Sequence, residues 1–268
     1  MREDWLGAFL GRRLVERPSI WGKMPGYGDY VRHNVKAGEA QVWQKWASEV
    51  WLQRSSRRVA AQPRAENFSD EWMHLDYVRN ASDQDRVPVA FVMAPGSLSF
   101  APGHYVQGVV VDSQDRVGRA CPLVIYQRVT PAWVARTWQD ASNENGLHLL
   151  FWLARLMAGI HDEKSDISAL SQAVEEVCRL HSAGWRQCLG LATARPDAGK
   201  LRQVVKGFCE DRKDEAAGLK GVRYLPWADW PRRMFRHENP LPAYWVQDLE
   251  GRYVTASDDL LRLWGGRI

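Results

Sequence analysis

The sequence predicts an α+β fold, a single domain with a largely antiparallel central sheet packed by helices. Three observations carry this prediction. Short runs rich in β-branched and aromatic residues, separated by turn clusters, fill the stretch from Val89 to Tyr126. A helical period takes over from Pro131 to about Glu210. Strand-like runs then return at Tyr244 and Arg252, so the late strands are expected to rejoin the early sheet.

Taken in order, residues 1–17 read as a short amphipathic helix carrying Trp5, Phe9 and Leu14, ended by Arg17-Pro18-Ser19 before a strand-like Ile20-Trp21. Gly22 to Asp29 is a glycine-rich loop. From about Gly38 to Arg54, Val42, Trp43, Trp46, Ala47 and Val50 recur at helical spacing and form one broad apolar face. Three strands follow, Val89 to Met93, Tyr105 to Val111 and Leu123 to Tyr126, joined through turns at Ala94-Pro95-Gly96 and Asp112-Ser113-Gln114-Asp115; hairpin links make their sheet antiparallel. Helices are then expected at Pro131 to Gln139, Gly146 to Met157, Ser168 to Leu180 and Ala198 to Glu210, with Ser165 or Asp166 placed to cap the third. Strands at Tyr244 to Gln247 and Arg252 to Thr255 turn at Glu250-Gly251, and a last short helix starts near Ser257-Asp258-Asp259. The domain organisation read from this is a helical appendage over 1–18 and one domain over 19–268.

A chain of 268 residues with 45% hydrophobic and 25% charged residues can bury a core without disulfides or metals. Lys and Arg number 36 against 32 Asp and Glu, an excess of four spread along the chain rather than gathered in a stripe, so a nucleic-acid partner is not expected. The opening Met1-Arg2-Glu3-Asp4 has neither the basic nor the apolar region of an export signal. The longest apolar stretch, Leu147 to Met157, is interrupted by His148 and Arg155 and is shorter than the ~20 residues a membrane helix needs. A cytoplasmic protein without membrane insertion is the expectation.

The chemistry-bearing patterns fail one by one. Gly22-Lys23 lacks a phosphate loop's earlier glycine and its following Ser or Thr, since Arg17 and Met24 stand there. Gly26-Tyr27-Gly28 has no third glycine at Val31. Cysteines at 121, 178, 188 and 209 form no C-x-x-C pair, and the seven histidines are scattered, so neither metal nor other cofactor is expected. The densest possible ligand set, His161-Asp162-Glu163, lies at a helix end where adjacent side chains diverge. Asp83, Asp85, Asp112 and Asp115 fall in turns, where Asp serves local hydrogen bonds. Cys121, next to Pro122 and an apolar strand, suits a buried thiol. No catalytic residues emerge, and the chain reads as a non-enzyme. The 14 tryptophans are core material with a minority available for interfaces.

Two segments carry a family pattern: Trp21-Gly22-Lys23-Met24-Pro25-Gly26-Tyr27-Gly28-Asp29-Tyr30-Val31, and Asp115-Arg116-Val117-Gly118-Arg119-Ala120-Cys121-Pro122-Leu123. They resemble the G-K-[LM]-P-x-x-G-D-[FY]-[VI] opening and the D-x-V-G-R-x-x-P-L hairpin of the TagF (ImpM) proteins of type VI secretion. With the aromatic strand Tyr244-Trp245-Val246, the likeness runs over nearly the whole chain after Pro18. Gly26-Tyr27 and Cys121 depart from the residues common in the family at those positions.

The resemblance implies a post-translational negative regulator of secretion-apparatus assembly that acts by binding protein, with a forkhead-associated scaffold protein as the partner. It marks Gly22, Lys23, Pro25, Gly28, Asp29, Asp115, Arg116, Gly118, Arg119 and Pro122 as the structural motif. Asp29 is expected to pair with Arg116 or Arg119 and so fix the loop against the hairpin. Tyr27, Tyr30 and Arg32 are the candidate partner-binding residues, because Tyr and Arg anchor interfaces and the glycines set the loop's shape. A rival reading from another class makes the Gly22–Asp29 loop part of a small-molecule or catalytic pocket, with Lys23, Asp29 and Arg32 as its polar groups.

Overall fold

The computed structural model describes residues 14–52, 88–134, 148–160, 166–181, 198–206, 208, 242–247 and 253–260. Seven strands form one sheet: β1 (Ser19–Gly22), β2 (Val31–His33), β3 (Val89–Met93), β4 (Tyr105–Val111), β5 (Leu123–Val129), β6 (Ala243–Gln247) and β7 (Tyr253–Ser257). Their spatial order is β2-β1-β5-β4-β3-β6-β7, and every neighbouring pair is antiparallel. The late strands do rejoin the early sheet, β6 lying against β3 with Ala90 opposite Trp245. With helices on both faces, the architecture is the α+β arrangement that the changes of period announce.

Both faces of the sheet are covered, and the strands therefore read as continuous apolar runs. Side chains still alternate between two cores. On one side Ile20, Ala90, Val92, Val109, Ile125 and Trp245 pack beneath helices. These are α2 (His148–Ala158), α3 (Ile167–Leu180) and α4 (Ala198–Lys206). On the other side Trp21, Phe91, Val110, Val124 and Tyr126 meet α1 (Ala37–Trp46), whose Trp43 is fully buried with Phe91, Phe100 and Tyr126 around its ring at centroid distances of 5.0 to 6.1 Å.

Each helix has a local reason. α2 is buried nearly all round, from Leu149 to Leu153 and again at Leu156 and Met157, because it lies between the sheet and the outer helices. α3 buries one stripe, Leu170, Ala173, Val174, Val177 and Cys178, and begins at the Asp166 cap, whose Oδ2 accepts the Ala169 N–H at 3.3 Å. Among the described residues no helix is long and apolar enough to cross a membrane.

Three differences from the sequence expectation are instructive. The helix expected from about Gly38 to Arg54 is not uniform: α1 ends at Trp46 and passes into a π-helical turn, Ala47–Trp51, with Ser48 Oγ bonded back to Gln44 O at 3.0 Å, while Gln53 and Arg54 lie outside the described residues. The wider turn seats Trp51 in the core and brings its indole N–H to Asp112 Oδ1 at 2.5 Å. β5 runs on to Val129 instead of stopping at Tyr126, since the polar residues there have partners: Gln127 opposes Gln107 across the β4–β5 ladder, and Arg128 pairs with Glu16. β2 escaped notice altogether, being three residues long with one exposed position, Arg32. Residues 14–16 also join this end of the sheet, with Val15 bridging Val129. The first thirteen residues of the expected N-terminal helix, the continuation of the Pro131 helix past Val134 and the final helix past Leu260 lie outside the described residues.

Candidate functional site

The two motif segments meet at one end of the sheet. β1 runs antiparallel to β5, so Gly22 stands opposite Leu123 and the loop that leaves β1 passes directly beside the hairpin that enters β5. The approach at Gly22 is close enough to forbid a side chain: a Cβ there would lie 2.0 Å from Pro122 O, and its φ of +135° is itself a glycine conformation.

Lys23 follows, buried, and turns its ammonium toward the hairpin. Nζ sits 3.0 Å from Asp115 Oδ2, donates to Arg119 O at 3.3 Å and lies 5.4 Å from the centre of the Tyr30 ring. Asp115 is the hub of the hairpin. Its Oδ1 accepts the backbone N–H of Val117 at 3.1 Å and of Arg119 at 2.8 Å, and its Oδ2 accepts Arg119 Nε at 2.7 Å. Burial alone would raise this carboxyl, but the Arg119 N–H, Lys23 and the Arg119 guanidinium outweigh it and hold Asp115 well below the usual carboxylate range.

The turn itself is a three-residue hairpin connection. Gly118 N–H returns to Asp115 O at 2.9 Å, Asp115 N–H bonds Arg119 O at 3.2 Å, and Gly118 takes φ +83°, the left-handed position such a loop requires. Two further bonds tie hairpin to loop: Arg116 N–H to Tyr27 O at 2.9 Å, and Arg119 Nη2 to Gly28 O at 2.8 Å.

The expectation that the loop is fixed against the hairpin by an aspartate thus names the wrong aspartate. Asp29 is exposed, accepts the N–H of its neighbour Tyr30 at 2.7 Å and makes no ion pair among the described residues. The pairing with Arg119 belongs to Asp115, whose side chain is 0% exposed, with Lys23 as second cation. The physical reason is burial: a carboxylate withdrawn from water needs cations and N–H donors, whereas one on the surface has water.

Of the three candidate partner-binding residues, two are anchored within the fold. The Tyr27 hydroxyl donates to Asp166 Oδ1 at 2.9 Å and accepts the Ile167 N–H at 3.0 Å, which clips the loop to the start of α3. That hydroxyl is the first cause of Asp166 lying below the usual carboxylate range. Tyr30 stacks on Trp21 at 5.3 Å, and burial, ahead of the neighbouring Cys121, pushes its phenol up to about 12. Cys121 is likewise raised, by burial before any other cause, which leaves it a poor nucleophile. Arg32 alone has an exposed side chain, on the outermost strand. Next to it, His33 meets Glu175 of α3 at 3.2 Å.

A cavity of about 330 Å³ opens near the far end of β5, lined among others by Glu16, Lys36, Glu39, Tyr126 and Arg128. Glu16 and Glu39 are both paired with Arg128 there. Tyr126 donates to Glu39 Oε2 at 2.7 Å, and Arg128 reaches Glu16, Phe100 O and Glu39. Burial, reinforced by Glu39, drives the Tyr126 phenol far above its ordinary value. Among the described residues no cluster of three or more possible metal ligands occurs. The sequence offered no sign of the Tyr27–Asp166 contact, which joins residues 139 apart, nor of the Glu39–Tyr126–Arg128 network, which joins α1 to β5.

Among curated proteins, none matches the chain in sequence. The crystal structure of PA0076 from Pseudomonas aeruginosa PAO1 superposes with a TM-score of 0.39 and 21% identity, covering 60% of this chain and 62% of that one, less than two thirds of its length. The family model of the TagF N-terminal domain, type VI secretion system-associated, matches residues 19–177, which spans β1 to α3 and contains both motif segments and the Asp166 contact of Tyr27. The chain belongs to the TagF N-terminal domain family of type VI secretion system-associated proteins.

Proposed function

We propose that this chain is a cytoplasmic, non-enzymatic accessory protein that binds a protein partner and thereby restrains assembly or activity of a type VI secretion system after translation. The partner in this reading is the system's forkhead-associated scaffold protein. Family membership supplies the setting. The observation that supports binding over catalysis is the state of the motif's polar groups. Lys23, Asp115, Arg119, Tyr27 and Tyr30 are engaged with one another, with backbone or with the α3 cap, so they build a rigid scaffold and leave no activated nucleophile or base among them. A regulator of this kind works by mass action, masking its partner when its free concentration exceeds the dissociation constant.

The rival pocket reading needs Lys23 to face a ligand, whereas its ammonium is held by Asp115 and Arg119 O. The test is direct. The purified chain is titrated into the purified scaffold by calorimetry, and secretion is followed in cells that overproduce or lack the chain. Saturable binding with secretion lowered by overproduction supports the proposal; no binding, or turnover of a small molecule abolished by Lys23→Met, overturns it.

A further inference from the structure

We propose that the β4–β5 hairpin tip, Arg116 to Arg119 with Val117 at its apex, is the element that docks on the partner, and that it fits an acidic protein surface with a small apolar socket. The inference rests on the binding reading above and assigns its surface.

Val117 is 67% exposed, the sole large hydrophobic of that kind among the described residues. Isolated exposed apolar residues are ordinary, so exposure by itself decides little. What sets Val117 apart is the construction beneath it. Its backbone N–H is held by the buried Asp115 carboxylate, the turn closes on Gly118 N–H, and Lys23, Tyr27 O and Gly28 O brace the base from the neighbouring loop. A flexible loop would have to be ordered on binding; this one is ordered already, which removes that cost from association.

Charge selects the partner. Lys23 already neutralises Asp115, so the exposed Arg116 and Arg119 add positive charge at the tip. The Arg119 side chain is 62% exposed although it reaches Asp115 and Gly28 O. Arg116 has no side-chain hydrogen bond or ion pair among the described residues, and its Nη2 lies over Gly28, where a Cβ would be 3.7 Å away. An unpaired guanidinium beside an exposed valine matches a carboxylate-rimmed apolar depression, the pairing that steers association and gives specificity. The two tyrosines of the adjacent loop, by contrast, are tied to the fold, Tyr27 through Asp166 and Ile167 and Tyr30 through its stack on Trp21.

The experiment measures the affinity of the purified chain for the purified scaffold with Val117→Asp, Arg116→Glu and Arg116→Lys, and with Arg32→Glu on β2, the competing exposed candidate. Expected are unchanged melting temperatures, a loss of about tenfold or more for Val117→Asp and Arg116→Glu, retention by Arg116→Lys, and a change of less than about twofold for Arg32→Glu. Wild-type binding that neither tip variant weakens overturns the assignment of the tip while leaving the binding reading intact, and so does loss confined to Arg32→Glu. Absence of wild-type binding overturns both. Sedimentation with anionic lipid vesicles that Val117→Asp abolishes would replace the protein partner with a membrane. Should Val117→Asp fold poorly, the Arg116→Glu and Arg116→Lys pair decides on its own.

Discussion

The Lys23 ammonium and the Asp115 carboxylate meet 3.0 Å apart, with side chains 8% and 0% exposed, and join the loop after β1 to the hairpin before β5. A buried pair of this kind contributes less by its attraction than it costs when broken, because the survivor is a charge without water or partner. Lys23→Met and Asp115→Asn are each expected to lower the melting temperature by about 5 °C or more. The double variant should lose less than the two singles together. Asp29→Asn, at an exposed position that retains an acceptor for Tyr30 N–H, should change it by less than about 2 °C. Differential scanning calorimetry on the four variants measures all of this; equal losses for Asp29→Asn and Asp115→Asn would show that burial does not set the hierarchy.

Tyr27→Phe isolates the clip to α3, since the ring stays and only the hydroxyl goes. Two hydrogen bonds disappear, to Asp166 Oδ1 and from Ile167 N–H, and a net loss of about 1 to 2 kcal/mol is expected. That corresponds to a fall of roughly 2 to 8 °C in melting temperature. Hydrogen exchange locates the effect: protection should drop at Ile167 to Leu170, the first turn of α3, and stay unchanged in β3 and β4. Uniform loss across the sheet would contradict a local clip.

Acidification should destabilise the protein through the same two carboxylates. Asp115 and Asp166 both titrate below their ordinary range in the folded chain, so at intermediate acidity the unfolded state binds more protons. Their stabilisation is fully present above the unfolded carboxylate value of about 3.9 and is lost as pH falls through it toward the folded value. Urea midpoints are therefore expected to hold from these groups between about pH 7 and 5 and to fall below about pH 4. Asp115→Asn should flatten the acid limb, having lost the group whose titration contributes to it. An acid limb as steep in that variant as in the wild type would refute the role of Asp115.

Much of this was legible in the sequence because it is local. Hydrophobic period placed β3, β4, α2 and α3, and the turn cluster Asp112-Ser113-Gln114-Asp115 marked a hairpin. What escaped depends on contacts between distant segments or on burial. Asp29 and Asp115 look alike as loop aspartates; only the packing of β1 on β5 shows that the second is dry and the first wet. Tyr27 looks like an exposed aromatic between two glycines, and only the position of α3, 139 residues away, gives its hydroxyl a partner. The π turn of α1 has no period of its own, and β2 is too short to show one.

Gly22 and Gly118 are both motif glycines with positive φ, yet they should respond differently to alanine. At Gly118 nothing lies within 4 Å of an added Cβ, so Gly118→Ala meets only backbone strain, about 1 to 2 kcal/mol for a non-glycine residue in the left-handed region. At Gly22 the same strain is joined by collision with backbone: the new Cβ would lie 2.0 Å from Pro122 O and 2.8 Å from Leu123 Cα. Neither atom is a flexible side-chain tip, so relief requires β1 and β5 to separate where Lys23 must still reach Asp115. Gly22→Ala is accordingly expected to destabilise by more than about 3 kcal/mol, with most of the chain insoluble or thermally labile. Gly118→Ala should remain folded with a melting temperature lower by roughly 2 to 8 °C. Soluble yield and calorimetry of the two variants side by side check the ranking, and a Gly22→Ala protein as stable as Gly118→Ala would mean that the β1–β5 contact at Pro122 yields more easily than backbone packing allows.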